Sequence, residues 1–245
     1  MTTGKDDLYE TTITEPGDFV FDERVVKVFP DMINRSVPGY GLIVPMTAML
    51  ARRYAQAGTR LYDLGCSLGA VTLAMRAAVR VPDARLVAVD ASPAMIEGLQ
   101  HRLQRSAEPE APWVETRLED VLETPIEQAS VVVLNFTLQF IRPDRRGELM
   151  QRIGRGLVPG GVLVLSEKVR FEDVGEQRAL HAWHHEFKRS QGYSDLEIAR
   201  KRDALENVMI PESIADHRAR LAEAGFGHVV QWFQGFNFVS MVAFR

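Results

Sequence analysis

The segment Asp63-Leu64-Gly65-Cys66-Ser67-Leu68-Gly69 constrains the fold of this chain more than any other. The short run Arg60-Leu61-Tyr62 leads into it, and a stretch with helical apolar spacing leaves it at Ala70. Strand, glycine-rich turn and helix, in that order, make the first βα unit of a nucleotide-binding α/β fold. Gly65 and Gly69 permit positive φ and let backbone approach a ligand where a Cβ would obstruct it. Asp63, at the strand end, places a carboxylate beside that ligand. A nicotinamide-dinucleotide fingerprint requires Gly-x-Gly-x-x-Gly, whereas the glycines here are spaced Gly65-x-x-x-Gly69 with Ser67 between them.

The alternation continues downstream. Strands are expected at 60–64, 86–90, 113–118, 130–135 and 161–167, and helices at 70–79, 93–104 and 143–157. Ser92-Pro93 supplies an N-cap with proline at the first helical position. Pro159-Gly160-Gly161 is a turn before a nearly all-apolar strand, as strands buried on both faces read. Five such strands with helical crossovers imply a doubly wound parallel sheet. Ahead of it, 1–20 reads as a flexible leader, followed by helices at 22–29 and 44–57 around the turn Ser36-Val37-Pro38-Gly39-Tyr40. From 168 to 210 the chain turns polar and helix-prone, too long for a plain loop, so a helical insertion is expected. A helix at 212–224 and two β-rich runs at 228–233 and 238–244 follow, the latter pair reading as a closing hairpin. The expected organisation is one α/β domain over 21–245, with N-terminal helices at 21–58 and the insertion at 168–210.

A formal charge of -4 argues against strong direct nucleic-acid binding. A single cysteine excludes an intrachain disulfide and fits a reducing compartment. The start, MTTGKDDLYE, lacks the apolar core of a signal peptide, and no apolar run is long enough to span a bilayer. A cytoplasmic protein without membrane attachment is expected.

Functional candidates gather at the carboxyl ends of the strands, where open α/β sheets bind ligands. Asp90 ends the second strand, where an acid accepts both hydroxyls of an adenosine ribose. Asp120-Val121 follows the third strand and Asn135 ends the fourth. Singly, Asp63, Asp90 and Asp120 also read as helix caps or turn residues; their joint placement favours a ligand site. With Ser67 in place of the middle glycine, the turn resembles the acid-x-Gly-x-Gly-x-Gly pattern of S-adenosyl-L-methionine (SAM) methyltransferases. Asp120-Val121 resembles the position where those enzymes hold the adenine amino group and ring, and the closing antiparallel hairpin resembles their class I plan. The implied architecture is a Rossmann-like class I fold with a mostly parallel seven-stranded sheet. Cys66 reads as a small loop filler rather than a nucleophile, since no His or Asp forms a motif with it.

Longer stretches carry a more specific resemblance. They include Phe21-Asp22-Glu23-Arg24-Val25-Val26, Val28-Phe29-Pro30-Asp31-Met32-Ile33 and Arg35-Ser36-Val37-Pro38-Gly39-Tyr40. Further on come Ser92-Pro93-Ala94-Met95-Ile96-Glu97, Val132-Val133-Leu134-Asn135-Phe136-Thr137-Leu138-Gln139-Phe140 and Leu165-Ser166-Glu167-Lys168. The insertion adds Phe187-Lys188-Arg189, Gly192-Tyr193-Ser194, Lys201-Arg202 and Leu205-Glu206-Asn207-Val208-Met209. From about residue 18 onward the chain resembles the carboxy-S-adenosyl-L-methionine synthase family. The resemblance implies an enzyme that takes SAM and prephenate and yields carboxy-SAM and phenylpyruvate. It also implies a homodimer whose product passes to a tRNA carboxymethyltransferase that makes 5-oxyacetyluridine at the wobble position. It places SAM contacts at Tyr40, Gly65, Cys66, Ser67, Asp90, Ala91, Asp120, Val121, Asn135 and Arg202, with Arg202 gripping the new carboxylate and Tyr40 beside the reacting group. Ala91 departs from an expected asparagine and Glu119 from an expected glycine.

By composition alone, Arg202 in the run Arg200-Lys201-Arg202 reads as a solvated helix charge, and Tyr40 as a turn aromatic. His181, His184 and His185 fall at i, i+3 and i+4 on one helix face, yet no fourth ligand completes a metal set, so no metal is expected. Their imidazoliums, with Lys188 and Arg189, instead suit a dianionic substrate. Two other readings stand beside the synthase: an ordinary SAM methyltransferase of a small molecule or RNA, and a non-catalytic SAM-binding subunit of a tRNA-modifying complex.

Overall fold

The computed structural model of the chain describes Asp6 and residues 23–106, 111–205 and 208–245, with Arg24 described by its backbone alone. The rest of the expected leader, Phe21-Asp22 and Glu206-Asn207 lie outside the described residues.

In chain order the helices are α1 (Glu23–Ser36), α2 (Tyr40–Tyr54), α3 (Ala70–Ala78), α4 (Pro93–Arg105), α5 (Pro143–Gly156), α6 (Val174–Ser190), α7 (Asp195–Leu205) and α8 (Ile214–Glu223). The strands are β1 (Arg60–Leu64), β2 (Arg85–Asp90), β3 (Trp113–Leu118), β4 (Ala129–Asn135), β5 (Leu157–Lys168), β6 (His228–Gly235) and β7 (Phe238–Phe244). They form a seven-stranded sheet in the order β3-β2-β1-β4-β5-β7-β6. β1 to β5 run parallel, and β7 lies antiparallel to both β5 and β6. The chain winds outward from β1 to β3 and then crosses back to β4, so the switch point lies between β1 and β4. Loops part there and leave a crevice at the strand carboxyl ends.

Alternation along the central strands divides the core between the two faces of the sheet. Tyr62, Leu64, Val132, Leu134, Leu163 and Leu165 bury on one face, and Leu61, Val131, Val133, Val162 and Val164 on the other. Helices cover both faces, which is why these strands read as continuous apolar runs. β3, at the edge, is only partly buried along its length.

Several boundaries differ from expectation. α1 runs through Pro30 to Ser36, because burial of Val25, Val28 and Met32 continues the helical stripe past the proline. α2 begins at Tyr40 rather than at residue 44: Gly39, at φ 79°, turns the chain so that Tyr40 opens the helix instead of sitting in a loop. β5 starts at Leu157, and the expected Pro159-Gly160-Gly161 turn is an irregularity within it, where pairing to β4 shifts register between Ala129 and Val131. β6 extends to Gly235. The stretch between β5 and α8 forms α6 and α7, and Leu205 and Val208 pack with Val25, Met32, Leu68 and Met95, above the glycine turn.

Candidate active site

The glycine turn is pinned by its own amides. Gly65 N and Cys66 N both donate to Val89 O at 2.8 Å, pulling the turn onto β2. Gly65 lies at φ 79°, and a Cβ there would run into the side chain of Thr137, whose hydroxyl donates to Leu64 O at 2.9 Å. Ser67 takes the left-handed conformation a glycine would take, at φ 50°. Its N–H donates to Asp90 Oδ2 at 2.8 Å while Ser92 N donates to Oδ1 at 2.9 Å, so the Asp90 carboxylate is fixed before any ligand arrives. Burial raises the pKa of Asp90 above the usual carboxylate range. Asp63 is more deeply buried and accepts from Thr72 Oγ1 at 2.5 Å. Burial, opposed by the Thr72 hydrogen bonds and helped by the nearby Asp90 charge, pushes its pKa to about 6.

Every residue expected from the sequence to touch SAM lines one cavity of about 670 Å³: Tyr40, Asp63, Gly65, Cys66, Ser67, Asp90, Ala91, Asp120, Val121, Asn135 and Arg202. Asp120 is exposed, with Oδ1 accepting from Leu122 N at 2.8 Å, and Val121 beside it is buried. Asn135 Oδ1 is buried with no hydrogen-bond partner among the described residues, an open acceptor facing the crevice. Phe136, next to it, is held at φ 62°, a costly conformation for a bulky residue and one that clusters at functional sites. Burial, with the charges of Asp63 and Asp90, pushes the Cys66 thiol well up, which leaves it unreactive. Tyr40 is buried, its ring centroid 6.3 Å from that of Phe136. Burial and then Asp63 raise its phenol far above the usual value, so it is a protonated donor. Arg202 sits on the rim, half exposed, with Nε and Nη2 at 3.0 and 2.9 Å from Asp203 Oδ1.

The opposite end of the cavity is cationic. Lys168 from the end of β5, Lys188, His181, His184 and His185 from α6 and Lys201 from α7 all line it. Lys201 has internal partners, at 2.9 Å from Ser36 Oγ and 3.4 Å from Asp6 Oδ2. Asp6 also accepts from the Tyr193 hydroxyl, and its backbone N donates to Asp31 Oδ2 at 2.7 Å, so α7 is tied to α1 through this residue. The expectation of imidazolium groups is corrected. Burial and then the neighbouring cations lower His181, His184 and His185, with His185 at about 4, so these rings are neutral near pH 7. His184 Nε2 lies 2.8 Å from Ser36 O, its ring edge-on to Phe238. Among the described residues no group of three or more His, Cys, Asp or Glu is arranged to hold a metal. Arg189 is also corrected: one residue on from Lys188 it points to solvent, paired with Asp195 at 2.7 Å and Glu186 at 2.9 Å.

Sequence reasoning missed Arg102, Lys168 and Lys201 as cavity residues. For Lys168 a signal existed, since it ends the strand next to the one that Asn135 ends. No helix among the described residues is long and apolar enough to cross a membrane.

Fold and site define a SAM-dependent transferase of the class I methyltransferase type. A methyltransferase-domain family model matches residues 61–161. Human N-acetylserotonin methyltransferase, solved with SAM, aligns at TM-score 0.58 and 14% identity over 91% of this chain and 55% of its own. A Methanococcus maripaludis protein described as a SAM-dependent methyltransferase aligns at TM-score 0.59 and 18% identity over 94% and 96%. These structures share the fold. The carboxy-S-adenosyl-L-methionine synthase of Citrifermentans bemidjiense is 55% identical over 100% of both chains. The synthases of Geobacter metallireducens and Escherichia coli are 54% identical over 100% of both chains and 51% identical over 98% of this chain and 97% of theirs. The chain belongs to the carboxy-S-adenosyl-L-methionine synthase family.

Proposed function

We propose that the enzyme converts SAM and prephenate to carboxy-SAM, phenylpyruvate and water. The observation that carries this reading is the polarity of the cavity, with acids and glycine-turn amides beside β1 to β3, where Arg102 of α4 also lines it, and the lysines of β5, α6 and α7 on the other side. In this reading Asp90 takes the ribose hydroxyls, Asp120 and Val121 the adenine, and Gly65, Cys66, Ser67, Ala91, Asp63 and Asn135 the remainder of SAM. The sulfonium then lies where the glycine turn and Asn135 meet, with its methyl facing the cationic end.

A sulfonium acidifies its methyl C–H bonds. Prephenate loses its ring carboxyl as carbon dioxide and its ring hydroxyl as hydroxide, becoming phenylpyruvate. The hydroxide takes a methyl proton and leaves as water, and the carbanion forms a C–C bond to the carbon dioxide. One proton, one hydroxide and one carboxyl are accounted for. Arg202, always charged and with a planar fork, swings from Asp203 to the new carboxylate. Tyr40, a protonated phenol, donates to the same group. The enzyme works as a homodimer in the cytoplasm and hands its product to a tRNA carboxymethyltransferase, so the acidic chain itself does not grip tRNA.

Mass spectrometry after incubation with SAM and prephenate tests this. The expected product is a nucleoside heavier than SAM by one carbon dioxide, formed only with prephenate. S-adenosylhomocysteine and a methylated acceptor would identify an ordinary methyltransferase, the activity of the fold's structural neighbours, and SAM unchanged by prephenate would refute the proposal.

A further inference from the structure

Charge changes sign along the carboxyl edge of the sheet. In the order β3-β2-β1-β4-β5, the cavity meets Asp120 just after β3, Asp90 ending β2, Asp63 in β1, Asn135 ending β4 and Lys168 ending β5. α6, which follows β5, adds Lys188 to that end. The acids are satisfied from within the fold: Asp63 by Thr72, Asp90 by Ser67 and Ser92, Asp120 by Leu122. The two lysines are not. Lys188 is only 8% exposed, and no hydrogen bond or ion pair among the described residues reaches its Nζ or that of Lys168.

Nearby acids are committed elsewhere. Glu167 precedes Lys168 on the strand and so faces the other side of the sheet. Its two oxygens accept Leu138 N and Gln139 N, each at 2.9 Å. Glu186 and Asp195 pair with Arg189, and Asp6 with Lys201. Lys201 shows how this fold treats a buried lysine that has an internal counter-ion. A buried ammonium without one is costly and is kept where a ligand supplies the missing charge.

We propose that Lys168 and Lys188 are the pair that receives the carboxylates of the second substrate, a dicarboxylate, on the β5–α6 side of the cavity. This assignment rests on the two-substrate reading above and adds specificity-determining residues to it. Two ammonium groups reaching the cavity from different elements, a strand end and a helix, match two carboxylates on one small molecule. The neutral His181 and His185 each carry one N–H donor without adding charge, while His184 has given its own to Ser36 O. The lowered pKa values of both lysines, about 8 for Lys168 and about 7 for Lys188, arise from burial, with the neighbouring lysines adding to the effect at Lys188. A bound dianion supplies the opposite charge that offsets both causes.

Calorimetric titration of the SAM-loaded enzyme with phenylsuccinate, an aromatic dicarboxylate that lacks prephenate's leaving hydroxyl, tests the pair. Lys168→Met and Lys188→Met should each weaken phenylsuccinate binding by ~10- to 100-fold, as loss of a charge-assisted contact does. SAM affinity should stay within about 3-fold of wild type, because the acidic end is untouched. Lys188→Arg, which keeps the charge, should recover most of the loss and excludes a packing defect as its cause. Equal affinity in wild type and variants, or no phenylsuccinate binding by the wild type, overturns the assignment. The mass-spectrometric assay with prephenate decides the reaction separately. Lysine-dependent phenylsuccinate binding with no carboxy-SAM formed would keep the lysine pair and remove prephenate. Carboxy-SAM formed at unchanged prephenate KM in both Met variants would keep the reaction and remove the pair.

Discussion

On the β1–β3 side of the cavity, the groups that face a ligand are backbone amides and short acids already held by the chain's own N–H groups. On the β5–α6 side they are long cations, two of them with no counter-ion among the described residues. The first half is preorganised, and the proposed function gives it SAM. The second half is electrostatically incomplete, and the proposed dicarboxylate would finish it. On the proposed reading the adenosine site goes with the shared fold, while the change of reaction is written into the strand end and helix that bring the second molecule.

The largest expected effect joins the two halves. Arg146 is fully buried; its Nε donates to Ile141 O and its Nη2 to Ile210 O, each at 2.8 Å, and its Nη1 pairs with Glu212 at 2.5 Å. These bonds tie the segment after β4 to the segment before α8. Arg146→Met takes one of the two guanidinium partners of Glu212, leaving Arg220 on the other oxygen, and strands two buried carbonyls. It should cost about 2–5 kcal/mol of stability, read as a lower denaturation midpoint. Both ligands should be lost together; selective loss of one with an unchanged midpoint would mean the halves are held independently.

Next in size is Asp90→Ala. It removes the acceptor of Ser67 N and Ser92 N as well as the proposed ribose contact. SAM affinity should fall by about two orders of magnitude, the scale of losing hydrogen bonds to a charged group. Phenylsuccinate affinity should change little when SAM is supplied at saturating concentration. A comparable fall for both would erase the division between the halves.

The first half was legible in the sequence because backbone chemistry has a local signature. Gly65 and Gly69 mark the close approaches, Ser67 tolerates the left-handed turn, and acids at successive strand ends follow from strand boundaries. Those boundaries held within a few residues at β1, β2, β3 and β4. The second half was not legible in the same way. Lys188 and Arg189 are adjacent and chemically alike, yet one is buried in the cavity and the other paired in solvent. Only the helix phase, set by packing of α6 on β7 and α1 residues such as Phe238 and Ser36, separates them. The same packing leaves the histidines neutral, which spacing alone could not reveal. Prolines misled in α1, where Pro30 sits inside a helix that burial carries through it.

A smaller effect follows from pH. An anion favours charged lysines, so binding is strongest below the free-enzyme pKa values and is lost as pH rises through them. Lys188 at about 7 and Lys168 at about 8 set that window. The other groups facing them are Lys201 at about 8, Arg202 at the rim and the neutral His181, His184 and His185. Phenylsuccinate affinity should fall by up to ~10-fold per pH unit for each lysine that deprotonates between pH 7 and 9. SAM affinity should be nearly flat over that range, and a flat phenylsuccinate profile would contradict the role given to the lysines.

The smallest is Asp6→Asn. It removes the counter-ion of Lys201 but leaves an amide to meet Tyr193, and Lys201 escapes by shedding its proton. The cost should be about 1–2 kcal/mol, seen in thermal unfolding and as a modest rise in prephenate KM. An unchanged midpoint would show that α7 is held without Asp6.

In the proposed reaction the SAM methyl group faces the cationic half. A crystal structure of the enzyme with SAM and phenylsuccinate measures that directly. It should place the ribose on Asp90, the methyl toward β5 and α6, and the two carboxylates within hydrogen-bond distance of Lys168 and Lys188. A methyl directed away from these lysines, with phenylsuccinate elsewhere, would contradict it.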